Sequence, residues 1–158
     1  MLKVQFDRQK HRFAALILAT LIWETIGSAV LAQNANLSPK FSPDPTELKG
    51  AGGGSVAAKE IAGRAETPTG GCLGFMNAEP NHTIELKAFF TYLSIQVQSA
   101  QDTTIVVTGP GGTWCNDDFQ DKNAGLEGQW LPGAYQVWVG TYNRDKSTPY
   151  TLRISETR

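Results

Sequence analysis

The densest run of chemically capable side chains is Asn116-Asp117-Asp118, with Asp121, Asn123 and Glu127 close behind. Oxygen donors at this density suit a hard cation. Calcium takes about six to eight oxygens, and Asn116, Asp117, Asp118 and Asp121 could donate several while backbone carbonyls and water complete the shell. The spacing is not that of an EF-hand, because Gly125 occupies a would-be ligand position and Pro132 stands where the bidentate Glu belongs. The favoured reading of the same three leading residues is structural, with Asn116, Asp117 and Asp118 accepting backbone hydrogen bonds as Asx-type turns.

Catalytic chemistry is poorly supplied. After residue 32 the only histidine is His82, next to Pro80 and Asn81 ahead of a strand pattern, where a solvated loop histidine is expected. With no second His and no Gly-x-Ser-x-Gly elbow there, Ser/His/Asp and Cys/His arrangements cannot be assembled. Asp117 and Asp118 are neighbours, so on an extended strand they point to opposite faces and do not form a dyad. A carboxylate pair from distant strands, as in a small glycosidase, is the catalytic arrangement left open. The expectation is a protein that is not an enzyme.

Aromatic residues offer a second chemistry, since sugars stack on flat exposed rings. Trp114, Trp130, Trp138, Tyr135 and Tyr142 are many for a small domain. Tyr135 is in phase with Val137 and Val139 and reads as core, whereas Trp138 and Gln136 fall on the opposite face. Most of these rings are expected to fill the interior. A ligand platform, if built, is expected on Trp114 and Trp138.

The elements that must carry these residues come after an export-type leader. Lys3, Arg8, Lys10 and Arg12 precede an apolar stretch from Phe13 to Trp23, and Val30-Leu31-Ala32 ends it, so residues 1–32 read as a signal peptide cleaved after Ala32. The rival is an uncleaved membrane anchor, which Glu24 disfavours at a cost of about 2.5 to 3.5 kcal/mol near mid-bilayer. Beyond Ala32 the chain has ten basic and thirteen acidic side chains and no basic run, which argues against a nucleic-acid partner.

Residues 33–70 read as a flexible linker rich in Pro, Gly and Ala, with Pro39, Pro43 and Pro45 in one cluster and Gly52-Gly53-Gly54-Ser55 in another. Within it, residues 56–62 promise only a transient helical turn or two. From Gly71 onward the pattern is strands. Ile84, Leu86 and Ala88 alternate with polar residues, then Leu93, Ile95 and Val97 do so in the opposite phase, which requires a turn or bulge near Phe89-Phe90-Thr91. Thr103 to Thr108, the turn Gly109-Pro110-Gly111-Gly112 and Thr113-Trp114-Cys115 read as a hairpin. Strands also fit 134–140 and 150–154. About seven short strands bury their apolar faces best as two packed sheets, so residues 71–158 are expected to form an all-β, antiparallel β-sandwich, with a small closed barrel as the alternative.

Cys72 and Cys115 are the two cysteines of the chain. In an oxidising compartment a disulfide between them would close a loop worth roughly 4 kcal/mol to a domain this small. Buried free thiols or a two-ligand metal site are the competing readings.

The order of these pieces carries a resemblance. Asp102-Thr103-Thr104-Ile105-Val106-Val107, Gly109-Pro110-Gly111-Gly112, Cys115-Asn116-Asp117-Asp118, the stretch from Pro132 to Gly140 and Tyr150-Thr151-Leu152-Arg153-Ile154 run as in bacterial pre-peptidase C-terminal domains. The chain resembles that family over about residues 72–156. The resemblance implies a jelly-roll-like sandwich, an accessory role beside secreted peptidases and, in some members, binding of calcium or an extracellular polymer. This chain departs from the family by carrying no attached peptidase and by reducing the acidic cluster near the first strand to Glu79 and Glu85.

These observations together predict a secreted or periplasmic, non-catalytic binding or accessory module. The alternative is a calcium-dependent accessory or inhibitory module acting on a secreted protease, and the less favoured ones are a carbohydrate-binding module or small glycosidase. An extracellular protein or polysaccharide is the expected partner class, calcium the one cofactor in view, and membrane contact is expected only through an uncleaved N-terminal segment.

Overall fold

The computed structural model describes residues 33–158; the signal-peptide and cleavage expectations lie outside these residues. The strands are β1 (Ala35–Leu37), β2 (Thr46–Gly52), β3 (Val56–Ala57), β4 (Glu66–Thr67), β5 (Gly70–Gly71), β6 (Phe75–Met76), β7 (His82–Leu86), β8 (Phe90–Gln98), β9 (Thr104–Gly109), β10 (Gly112–Asn116), β11 (Gly125–Trp130), β12 (Gly133–Gly140) and β13 (Thr148–Ser155), with one short helix, α1 (Ala58–Ala62). A five-stranded sheet in the order β1-β7-β12-β9-β10 faces a four-stranded sheet in the order β11-β8-β13-β2. The fold is a β-sandwich, antiparallel throughout its two main sheets except where β1 joins β7 in parallel. Among the described residues no helix is long and apolar enough to cross a membrane.

Alternation of apolar residues sets the interior. Ile84 and Leu86 on β7, Ile105 and Val107 on β9, and Tyr135, Val137 and Val139 on β12 meet Leu93, Ile95 and Val97 on β8 and Leu152 and Ile154 on β13, all buried. The phase change near Phe89 marks the crossing from one sheet to the other: β7 ends at Leu86 in the first sheet and β8 begins at Phe90 in the second. The expected hairpin is β9 and β10, with Gly109 opposite Gly112.

The expected linker is instead part of the sandwich. β2 pairs with β13 over seven residues from Thr46 to Gly52, and β1 completes the edge of the other sheet. Its glycines do not mean flexibility here, since one of them makes room for a neighbour: a Cβ on Gly50 would collide with the hydroxyl and Cζ of Tyr150. The start of the folded unit therefore moves from Gly71 back into the first residues after Ala32.

Residues 56–76 make a third, partial layer. Helix α1, whose Ala58 and Ala62 are buried, packs with Cys72 and Met76 on Val106, Cys115 and Trp138, which face outward from the five-stranded sheet. The expected transient turn is thus a fixed element, ended by Gly63 in the left-handed conformation at φ 69°. Cys72 and Cys115 form a disulfide that ties this layer to β10, with Cα atoms 5.1 Å apart.

Candidate functional site

Four strand ends place a cleft at one side of the sandwich. β10 is the last strand of its sheet and β11 the last of the other, and the two edges run beside each other with the interior rings exposed between them. Trp114 projects from β10 into this gap because it shares the inward phase of Val107, its partner on β9. Trp130, at the end of β11, and Tyr135, near the start of β12, close the back.

The three rings form one cluster. Trp114 lies 5.9 Å from Trp130 and 6.3 Å from Tyr135, and Trp130 and Tyr135 meet edge-on at 5.0 Å between centroids. Such pairs add about 0.5 to 1.5 kcal/mol beyond area burial and hold the rings in place. Tyr135 donates its hydroxyl to the carbonyl of Leu131 at 2.9 Å, and Trp130 donates its indole N–H to the carbonyl of Leu93 at 2.9 Å. Trp138 likewise donates to Ala78 at 3.3 Å. Trp114 is half-buried, and among the described residues its indole N–H has no acceptor.

In front of these rings is a cleft of about 320 Å³ with a mostly apolar wall. Phe89 and Leu131, 44% and 48% exposed, stand at its rim, and Glu127 is the one charged residue lining it. Its carboxylate accepts from the Tyr92 hydroxyl at 2.8 Å.

The other half of the expected platform is not available. Trp138 is buried at 7% exposure, because β12 is covered on both faces from Val137 onward, by the opposite sheet and by the α1 layer. Period-two alternation placed it correctly on the outward face; part of the covering layer, α1, lies in the segment read as a linker.

His82 is likewise not a solvated loop residue. It begins β7 at 1% exposure, with Nδ1 2.6 Å from the carbonyl of Gln33 and Nε2 2.7 Å from the hydroxyl of Tyr150. A carbonyl only accepts, so Nδ1 carries the proton and Nε2 accepts from Tyr150. Burial lowers the pKa of His82, partly opposed by the bond to Gln33, and burial raises that of Tyr150.

The Asn116 to Asp121 loop is held by internal bonds. Asn116 Oδ1 accepts from the Gly125 N–H at 3.0 Å and its amide donates to Thr69 at 3.1 Å, which uses both ends of the side chain. Asp117 accepts from the Tyr142 hydroxyl, and this bond is the first cause of that tyrosine's raised pKa. Asp118 and Asp121 are exposed, and Asp121 has a left-handed φ of 54°. Asp102 approaches from the other side of the loop: burial, then the charges of Asp118 and Asp117, push its carboxyl pKa up. Among the described residues no group of three or more His, Cys, Asp or Glu side chains is arranged to hold a metal.

Sequence reasoning found Trp114 and missed Phe89, Leu126, Trp130 and Leu131 as its surroundings. A signal was present in Trp130-Leu131, two adjacent large apolar residues that a half-buried strand cannot both hide.

No family model matches the chain. An uncharacterized protein of Synechococcus elongatus is 28% identical over 86 residues, spanning 52% of this chain and 63% of that protein. The chain thus covers under two thirds of this curated relative's length. Solved structures similar to the chain include the pre-peptidase C-terminal domain of collagenase from Bacillus anthracis, at 11% identity and TM-score 0.44, covering 78% of this chain and 95% of that one. They also include PliG from Aeromonas hydrophila, a periplasmic inhibitor of g-type lysozyme, at 16% identity and TM-score 0.40, covering 78% and 96%. The first of these is a domain of the kind the sequence resembles.

Proposed function

We propose that this protein is a non-catalytic binding module that works outside the cytoplasm and takes its ligand in the cleft in front of Trp114. The observation that carries this reading is the contrast among the three described tryptophans: Trp130 and Trp138 are buried and bonded to carbonyls, while Trp114 lines an open apolar cleft and its N–H has no acceptor among the described residues. A pocket of this size with few polar groups is the usual form of a ligand site. The Cys72–Cys115 disulfide supports an oxidising compartment. The absence of catalysis is supported by His82, whose two ring nitrogens are both engaged in the interior.

The test is a titration of the oxidised chain from Gln33 with soluble extracellular peptides and oligosaccharides, read by tryptophan fluorescence. A saturable change is expected, lost in Trp114→Ala with the unfolding midpoint nearly kept. A saturable signal that survives Trp114→Ala moves the site elsewhere and rejects the cleft.

The calcium-dependent accessory or inhibitory module is the second reading. Its support is the crowding of Asp102, Asp117 and Asp118, whose mutual repulsion a cation would relieve.

A further inference from the structure

Both strand edges beside the cleft are capped at one end and open at the other. On β10 the outward N–H of Cys115 donates to Thr67 Oγ1 at 3.0 Å, and its carbonyl accepts from Thr69 Oγ1 at 2.8 Å. On β11 the outward N–H of Gly125 donates to Asn116 Oδ1 at 3.0 Å. Three side chains therefore blunt the edges at that end, as soluble sheets commonly require. Two residues along each strand the blunting stops. Antiparallel alternation turns the backbone N–H and C=O of Thr113 and of Glu127 outward again, and among the described residues neither pair has a partner.

The uncapped stretch flanks the aromatic cleft, whose wall also reaches Thr69 of the capped end. Glu127 and Gly128 belong both to the open edge of β11 and to the wall of the cleft, and Trp114 follows Thr113 directly. A row of unpaired backbone donors and acceptors beside an apolar hole has a natural complement. It is an extended polypeptide, which adds to the edge by main-chain bonds while alternate side chains enter pockets. Charge narrows the choice. Glu127 is the one charged residue lining the cleft and no Lys or Arg lines it there, Arg158 standing outside the cleft over the ring of Tyr92 that binds the same carboxylate, so a basic residue in the ligand is favoured over an acidic one.

We propose that the cleft binds an extended peptide segment of a partner protein, which pairs with the open edge of β11 at Glu127 and inserts a large apolar side chain against Trp114, with a Lys or Arg of the peptide facing the Glu127 carboxylate. This rests on the cleft reading above and names its ligand class. No bond is made or broken; the peptide exchanges water for the edge.

The experiment uses the oxidised chain and blocked hexapeptides, N-acetylated and C-amidated, carrying a central Phe or Leu flanked by Lys, Gln or Asp. Binding is read by tryptophan fluorescence and calorimetry. Expected is saturable binding with Lys preferred over Asp, the preference falling away in Glu127→Gln, and all binding lost in Trp114→Ala. A peptide N-methylated at the edge-pairing amide should bind about tenfold more weakly, as one hydrogen bond of about 1 to 1.5 kcal/mol requires. Because that change is made in the ligand, no folding defect can mimic it. Unchanged affinity after N-methylation at every position overturns strand addition. Trp114-dependent binding of oligosaccharides with none of the peptides bound overturns the peptide while leaving the cleft as a ligand site. No ligand responding through Trp114 overturns both.

Discussion

Tyr150 on β13 donates its hydroxyl to Nε2 of His82 on β7, 2.7 Å away in the interior, and so ties the two sheets together by a polar bond inside an apolar core. The opposite ring nitrogen holds the carbonyl of Gln33, 2.6 Å away and two residues before β1. The neutral imidazole satisfies both partners. A second proton would put a donor against the Tyr150 oxygen, leave that hydroxyl's own hydrogen without an acceptor, and bury a charge with no carboxylate among the causes acting on it.

The first prediction follows from the sign of that shift. The folded pKa of His82 lies below its ordinary 6.5 because burial opposes the cation. Between the two values the unfolded chain binds more protons than the folded one, so stability is full above the unfolded pKa and falls as pH drops through it. Urea unfolding of the chain from Gln33 should lose up to about 1.4 kcal/mol per pH unit over that window. His82→Gln should flatten the dependence there, and an unchanged slope in that variant would reject the assignment.

A second prediction concerns the partial layer stapled by the disulfide. Residues 56–76 touch the sandwich through a small cluster in which Cys72 and Cys115 take part. The bond closes a sequence separation of 43 residues, which the loop-entropy model puts at roughly 4 kcal/mol. Reduction, or Cys72→Ala with Cys115→Ala, should lower stability by several kcal/mol. Limited proteolysis should then cut first within 56–76, while the β8 to β13 ladder stays protected. Cleavage starting in β13 instead would show that the layer does not loosen independently.

The sandwich, its hairpin and the core role of Tyr135 were legible because period-two alternation is strong in β7 to β13. β2 was not, because Gly50 and Gly52 erase the alternation at positions where Tyr150 and Val139 supply the packing from the partner elements. A glycine that makes room and a glycine that makes a linker are the same letter. His82 and Trp138 were misplaced for the same reason: Gln33, which binds His82, and α1, which helps cover Trp138, both lie inside the stretch read as unstructured. Of the site, Trp114 was visible as a ring on a hairpin strand, and the cleft was not, since it exists only where the edges of β10 and β11 from different sheets come side by side.

Gly50 supplies the third prediction. The space its missing side chain leaves is taken by the hydroxyl end of Tyr150, and that hydroxyl is held by His82. Gly50→Ala should cost about 1 to 3 kcal/mol, the usual penalty for overpacking. Combined with Tyr150→Phe the cost should differ from the sum of the two single changes, because both act on one ring. Additive losses in a double-mutant cycle would mean that the two residues do not share this space.

Calcium is the fourth. Asn116 already spends both ends of its amide on Gly125 and Thr69, and Asp117 accepts from Tyr142, so the loop has little left to offer a cation. The expected result is that millimolar Ca²⁺ and then chelator leave the unfolding midpoint in place. A filled site at about a hundred times its dissociation constant would add about 2.7 kcal/mol and raise the midpoint by roughly ten degrees. A rise of that size abolished by Asp117→Ala and Asp118→Ala would establish the second functional reading instead.

The fifth prediction separates two tryptophans that the sequence alone treats alike. Trp138 fills the junction between the outward face of β12 and the α1 layer, so Trp138→Ala leaves a cavity and should cost about 3 to 5 kcal/mol. Trp114 contributes only part of its surface to the interior and should cost distinctly less when truncated. Ligand binding should show the reverse order, abolished by Trp114→Ala and, at temperatures where the variant is still folded, kept by Trp138→Ala. Acrylamide quenching of the folded chain from Gln33 should find one accessible indole among its three, and its disappearance in Trp114→Ala identifies it. If quenching persists in that variant and is lost in Trp138→Ala, the covered face is open in solution and the platform belongs on β12.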